Sequence, residues 1–339
     1  MKSTINKQVE EPDIQPARPP RRRLRRTFIL ALLTLVVLLL VGLGGYLVLR
    51  PRVQPLSLPA LPAHINEADL GLTGWQDYQR PLPPIALNSF DWLQPPTIDS
   101  QQALLEDAAG QALIGQGQLV HGLSYLRAAA QSSPDNLRYN DDYRLALRDH
   151  GQYAEEEAFF SQQAARIKTP NTAISLAMAY VDEMRACPRP PDGLVCQAQN
   201  SSRSIDVLNS VLAQHPYNII ARYGRGLNHL YWPSAMGHLP RAQDDLQYAI
   251  ALLQPLGSIS STFPPLAYAA LGDVFAKDGQ VDAARNVWLS GKNALPNAAL
   301  LDSRLNIALD QLVGEENGPL RGLGVYVDTK LAIFWQSGR

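Results

Sequence analysis

Residues 268–296 read YAALGDVFAKDGQVDAARNVWLSGKNALP, and this stretch decides the fold. Leu271 and Gly272 are followed by Phe275, Gly279, Ala284, Trp288 and Pro296. Small residues fall where two antiparallel helices must approach closely. Glycine falls in the turn between them, and proline follows the second helix. The pattern is a packing device, not a catalytic one. Gly110, Leu113, Gly117, Gly122, Leu126, Ala129 and Pro134 repeat it upstream. Tyr143, Leu147, Gly151 and Phe160, ending near Pro170, repeat it more loosely, and Gly117 to Gly151 is a step of 34 residues.

These offsets resemble the tetratricopeptide repeat (TPR) family. Two more units are interrupted. Leu176, Ala177 and Tyr180 fit a first helix, and Ser204, Leu208, Val211 and Pro216 fit a second. The excess of about 15 residues between them, judged by the family period, contains Cys187 and Cys196. Gly226, Leu230, Gly237, Ala242, Leu246, Ala249 and Pro255 form the next unit, lengthened by WPSA at 232–235. After the strong fifth unit, 298–313 reads as a capping helix with the stripe Leu301, Leu305, Ala308, Leu309 and Leu312. The resemblance covers about 101–313. It implies an all-α, TPR-type solenoid of helical hairpins, about five repeats and a cap, in which stacked neighbours bury what each pair alone leaves exposed.

In the family the first helix of each pair lines a concave groove. The resemblance places Arg138, Leu145 and Arg148, then Ile174 and Met178, then Tyr223, Leu227 and Tyr231, then Asp273 and Lys277 on that inner surface. The set is mixed, with two tyrosines, and lacks the basic clamp of TPRs that bind acidic C-termini. A partner peptide with apolar or aromatic side chains fits it better. The alternative at each position is packing between repeats.

The flanks differ from this body. Residues 1–26 hold eight Lys/Arg against Glu10, Glu11 and Asp13, within a chain of formal net charge −1. This tail is expected to be disordered. Residues 27–49 carry no charge over 23 positions. A helix of that length spans roughly 35 Å against a hydrocarbon core of about 30 Å. A cleaved signal peptide would have a shorter apolar region and a small-x-small site, and 46–52 is bulky. The expectation is therefore an uncleaved transmembrane helix. With RRRLRR at 21–26 before it and only Arg50 and Arg52 after it, the N-terminus is expected in the cytoplasm and the C-terminal domain outside, anchored to the cell membrane. In that setting Cys187 and Cys196, separated by PRPPDGLV, suit a local disulfide, with two structural thiols as the alternative.

Residues 50–100 contain nine prolines and read as an extended linker. Trp75, Tyr78, Phe90 and Trp92 punctuate it, either to clamp it onto the next domain or as an interaction strip. After the turn-rich 314–324 comes VYVDTKLAIFW at 325–335. Alternation gathers Val325, Val327, Leu331, Ile333 and Trp335; helical spacing gathers Leu323, Val327, Leu331, Phe334 and Trp335. Periodicity does not choose between strand and helix in so short a run. The tail either packs on the last repeat or is a docking element for a partner or the membrane face.

A search for chemistry returns little. None of the six histidines lies in H-E-x-x-H, and His229 and His238 share a repeat without a completing ligand pattern. GQGQLVHG at 115–122 has the wrong spacing for a dinucleotide fingerprint, and no nucleophile elbow, Walker loop or kinase set occurs. The EEE run at 155–157 reads as a solvated helix face. The mildly acidic body lacks the clustered positive charge that nucleic acid needs. The sequence thus reads as a non-enzyme without cofactor or metal: a membrane-anchored scaffold for protein partners, expected among membrane or envelope components, with the bilayer contacted through 27–49. The alternatives are a groove for a small ligand or glycan, with Tyr223 and Tyr231 as first contacts, and an accessory subunit of an enzyme.

Overall fold

Local capping sets where each helix starts and stops. The structure is a computed structural model that describes residues 31–37, 58–87, 96, 98–189, 192–253, 259–308 and 328–336; Met1–Arg52 and Val53–Arg339 form two compact units. The second unit holds eleven described α-helices longer than one turn: α1 (Ala103–Gly115), α2 (Leu119–Ser132), α3 (Leu137–Asp149), α4 (Tyr153–Ile167), α5 (Pro170–Glu183), α6 (Leu194–Gln214), α7 (Ile219–Tyr231), α8 (Leu239–Ala251), α9 (Phe263–Lys277), α10 (Val281–Ala294) and α11 (Ala299–Leu305). No strand occurs among the described residues. Successive pairs form five hairpins, α1/α2 to α9/α10, and α11 packs on the last.

Asn136 caps α3 by accepting the Arg138 N–H at 3.0 Å, and Asn218 caps α7 by accepting the Ala221 N–H at 2.9 Å. Thr169 and Thr172 form a reciprocal cap at the start of α5, with Pro170 in the first helical position. Gly279 ends α9 at φ 78°, and the next amide, of Gln280, closes back on Phe275 O at 2.8 Å. A left-handed residue with this back-bond is how a helix stops without a steric penalty when the residue is glycine. Gln118 to Leu113 and Gln152 to Leu147 repeat the bond at 2.9 Å, which fixes the 34-residue step seen in the sequence.

Helix approach inside a hairpin depends on one pair of small residues. A Cβ on Gly272 would lie 1.9 Å from Trp288 Nε1, and that indole is fully buried, donating to Ala269 O at 3.2 Å. Ala284 follows Gly272 by twelve positions, as Gly122 follows Gly110, where a Cβ would lie 2.9 Å from Gly122 O. Ala177 with Ser204 and Gly226 with Ala242 are the same pair, separated by the insertions. The second hairpin breaks the rule. Arg144 and Glu156 stand at its two places, both fully buried. Tyr143 and Phe159 also meet edge to face there, with centroids 4.9 Å apart. Helix α4 consequently packs more on α5 than on its own partner α3.

The insertion before Ser204 is resolved into a 3₁₀ turn, Met184–Ala186, a short loop and the first turns of the long α6. Cys187 and Cys196 are joined across it as a disulfide, Cα to Cα 5.8 Å. The WPSA insertion likewise forms a 3₁₀ turn, Ser234–Met236. The capping helix ends at Leu305, sooner than the stripe suggested. Asn306 closes the last turn onto Asp302 O, and Arg285 holds Ile307 O at 3.1 Å, so Ala308 lies past the helix. Leu309 and Leu312 lie outside the described residues.

Residues 58–87 do not trail away from the body. Leu70 and Leu72 are fully buried, Ile219 donates its amide to Leu70 O at 3.1 Å, and a single turn at Trp75–Tyr78 brings Tyr78 into the core. Phe90 and Trp92 lie outside the described residues.

The expected membrane location is corrected. Among the described residues no helix is long and apolar enough to cross a membrane. Of 27–49 only 31–37 is described, as helix, and seven residues rise about 10 Å, a third of a bilayer core. The rest of that stretch and the basic 1–26 lie outside the described residues.

Replacing Gly272 with Val should lower the midpoint of denaturant unfolding by the equivalent of about 1–3 kcal/mol, the usual range for overpacking. An unchanged midpoint would overturn the hairpin register. Thiol labelling should rise after reduction; equal labelling before and after would reject the Cys187–Cys196 bond.

Candidate functional site

The first helices of the hairpins, α3, α5, α7 and α9, face a common groove, and the chain's own residues 328–336 lie in it. The segment is neither strand nor α-helix but one 3₁₀ turn, Leu331–Phe334, closed by the Trp335 amide on Ala332 O at 3.1 Å. Thr329, Leu331, Phe334 and Trp335 are buried, whereas Asp328, Lys330 and Gln336 are exposed. The tail therefore lies along several repeats instead of on the last one alone.

At one end the segment meets a polar cup. Arg144 is fully buried and its Nη2 pairs with Asp141 at 2.5 Å, while its Nη1 pairs with Asp182 from α5. Thr329 completes the arrangement. Its hydroxyl donates to Asp182 Oδ1 at 2.7 Å and accepts from Arg144 Nη1 at 2.9 Å and Arg148 Nη1 at 3.1 Å. A hydroxyl offers one donor and two acceptor positions, so this one is saturated. Arg144 Nη2 also donates to Thr329 O at 2.6 Å, and the Leu331 amide donates to Asp141 Oδ2 at 2.9 Å.

Electrostatics explain how so many charges tolerate burial. Burial draws the Arg144 guanidinium down, but Asp182 and Asp141 more than offset it and push it up, so it stays charged. Glu156, with no hydrogen bond to either carboxyl oxygen, is raised to about 10, first by burial and then by the charge of Asp182. It is neutral near pH 7. Arg144 and Arg148 face Asp141 and Asp182, with Asp149 on Arg148 at 2.7 Å and Arg185 3.8 Å from Asp182.

The other end is apolar and aromatic. Phe334 lies 4.5 Å from the Phe263 ring and 5.9 Å from Tyr223, and Trp335 lies 4.8 Å from Tyr78, centroid to centroid. Such tilted and edge-on pairs contribute about 0.5–1.5 kcal/mol each beyond area burial. Ser260 Oγ reaches Ile333 O at 2.7 Å and Gln336 O at 3.0 Å, Thr262 Oγ1 reaches Gln336 O at 3.1 Å, and Gln79 Nε2 donates to Trp335 O. Only about 20 Å³ of cavity remains between Met178, Tyr223 and Leu227 on one side and Leu331 and Phe334 on the other. Beyond Trp335 a larger cavity, about 720 Å³, opens between Tyr78, Arg138, Asp142 and Gln336.

The inner positions named from the sequence divide into two groups. Arg148, Met178, Tyr223 and Leu227 meet at the segment. Arg138 instead holds the 58–87 strap, donating to Tyr78 O at 3.3 Å and to Arg80 O. Asp273 pairs with Arg304 of α11 at 2.8 Å, and Lys277 donates to Leu230 O and Trp232 O at 2.8 Å each, closing the end of α7. Tyr231 is half-buried against the core. Asp141, Arg144, Asp182, Phe263 and Thr329 were not singled out in the sequence. The signal for Arg144 was present: it stands 34 residues after Gly110, where the repeat wants a small residue.

His229 and His238 face each other, Nδ1 to Nδ1, at 2.8 Å. Burial lowers His229 to about 2, with His238 adding to it, and lowers His238 to about 4, so both are neutral. Among the described residues no group of three or more His, Cys, Asp or Glu is placed to hold a metal ion.

No family model matches the sequence, and no curated protein matches it. Solved structures similar to it include a thermophilic TPR protein, TTC0263 of Thermus thermophilus, at 17% identity and TM-score 0.44 over 60% of this chain and 96% of that one. MamA (41-end) from Desulfovibrio magneticus RS-1 is similar at 15% identity and TM-score 0.38, over 61% of this chain and 98% of that one. The hairpin assignment rests on the chain's own packing.

Two outcomes test the cup. Asp182→Ala leaves Arg144 buried and underpaired, and should destabilise the fold by about 3–5 kcal/mol. Glu156 ionises near 4.5 when unfolded but only near about 10 in the fold, so the native state holds the extra proton between and stability falls as pH rises through that window. Glu156→Gln should therefore gain on the native chain between about pH 5 and pH 9. A pH-independent difference in denaturant midpoints would show that Glu156 is not the neutral member of the cluster with Asp182, Arg144 and Arg148.

Proposed function

We propose that the hairpin array is a protein-interaction module whose inner groove takes a short segment of a partner protein. One observation carries this. Five main-chain groups of residues 328–336, at Thr329, Leu331, Ile333, Trp335 and Gln336, are satisfied by groove side chains. Side chains held by the folded body that pair with the backbone of a separate segment are what peptide recognition requires. The aromatic walls supply area in a form that costs little ordering entropy. A glycan-stacking role for Tyr223 is less well supported, because Phe334 covers that ring.

Photocrosslinkers at Tyr231, one helical turn after Leu227 on α7, and at Leu289, half exposed on α10, provide the test. A single stoichiometric protein should crosslink from Tyr231 and not from Leu289. Equal labelling from both positions would overturn the groove as the partner site.

A further inference from the structure

Taking the inner groove as the partner site, we infer that residues 328–336 are a built-in competing ligand, and that a partner must present the same pattern to displace them. The pattern is a hydroxyl residue, a leucine two positions later, and an aromatic pair five and six positions later. The contacts specify it. Thr329 fills all three hydrogen-bonding positions of its hydroxyl in the polar cup, and Leu331 and Phe334 fill the narrow space against Met178, Tyr223 and Leu227. Trp335 packs on Tyr78. Lys330 is exposed, and Ala332 and Ile333 are half-buried, so the groove reads these positions weakly.

Two properties make the segment exchangeable. It carries no sheet or long helix that would tie it to a neighbour; its internal bonds are those of one turn and the Lys330 amide on Asp328 Oδ1 at 3.1 Å. The groove is also set without it. Arg144 keeps Asp141 and Asp182 when Thr329 leaves, Asn136 and the Thr169 box hold the starts of α3 and α5, and Tyr223 and Phe263 remain in contact at 5.0 Å. A prearranged groove of this kind loses little by swapping one ligand for another of equal pattern. The partner class is thus a protein segment with Ser or Thr, then Leu, then two aromatics, not an acidic tail. The arginines around the cup, Arg144, Arg148 and Arg185, are each already paired with an aspartate, Asp141, Asp149 or Asp182.

The test uses the full chain with a site-specific protease sequence placed between Gly314 and Gly324, and fluorescein-labelled synthetic peptide 325–339 as probe. After cleavage the released fragment should co-elute with the body and exchange with labelled peptide. Peptides carrying Thr329→Val, or Phe334→Ala with Trp335→Ala, should exchange at least about ten-fold less well, as expected when hot-spot contacts are lost. The uncut native chain should not bind the probe. The uncut Phe334→Ala/Trp335→Ala chain, with native helical circular dichroism, should bind it. If that variant fails to fold, the cleaved chain decides alone. Equal binding of the probe by native and variant chains, or equal exchange of native and altered peptides, overturns the inference. A concentration-dependent dimer in which tails cross between copies overturns the intramolecular arrangement. Exchange that succeeds while Tyr231 crosslinks nothing would leave the built-in ligand standing and remove the partner site. Crosslinking from Tyr231 with no peptide exchange would do the reverse.

Discussion

The close approach of two helices at a single pair of small residues is the constraint on which this molecule is built. Gly272 against Trp288 shows how little room there is: no side chain fits at that point. Four hairpins obey it with Gly, Ala or Ser. The second puts Arg144 and Glu156 there, and everything distinctive about the groove follows from that exception. A guanidinium inside a hairpin is costly unless it is paired and hydrogen-bonded, and here both terminal nitrogens find partners while Nε does not. The pairing comes partly from Asp141 on its own helix, partly from Asp182 on the next hairpin, and finally from Thr329, 185 residues away in sequence. The broken packing rule is thereby converted into a socket.

Such a cluster is better understood as a device for position than as a source of stability. Well-packed apolar residues of equal volume usually serve a core as well as a buried ion pair does. An ionic socket adds direction. Asp182 accepts only from a donor and Arg144 donates only to an acceptor, so a hydroxyl satisfies both at once while an alkyl group satisfies neither. The aromatic end lacks that discrimination but supplies contact area. Selectivity at one end and adhesion at the other is a sensible division for a groove that must take one segment and release it for another.

The hairpins were legible because their signals are local. Gly117, Gly151 and Gly279 mark turns at fixed steps, and Trp288 with Gly272 and Ala284 marks a packed pair. The two insertions were legible as departures from a period, and Cys187 and Cys196 fall where one such departure needs a staple. The apolar run at 27–49 suggested a spanning helix by length and composition, and no helix of that kind is found among the described residues. The groove was legible only in part. Family offsets brought out Arg148, Met178, Tyr223 and Leu227, because facing inward is a property of one helix. Arg138, Asp273 and Lys277, named by the same offsets, pair with the 58–87 strap, Arg304 and the end of α7, which come from other elements. The 3₁₀ turn at Leu331–Phe334 was invisible to periodicity, since neither of the regular spacings describes a segment shaped by the surface it lies on.

That last point bears on what the segment is. A terminal tail that serves only to cover a core normally continues the secondary structure beneath it, or satisfies its amides internally or with water. Here Asp141, Arg144, Ser260, Thr262 and Gln79, drawn from three separate parts of the chain, converge on the main chain of nine residues. Asp141 and Arg144 sit on a capped helix, where Arg144 pairs with both Asp141 and Asp182, and Ser260, Thr262 and Gln79 stand in the turns before α9 and after Trp75–Tyr78. The arrangement has the economy of a complex between two bodies, with shape and polarity specified on the receiving side and a short linear pattern on the other. Covalent linkage raises the local concentration of the built-in segment. A competing segment must therefore outmatch the native pattern in contacts, or arrive at high effective concentration through a second attachment of its own.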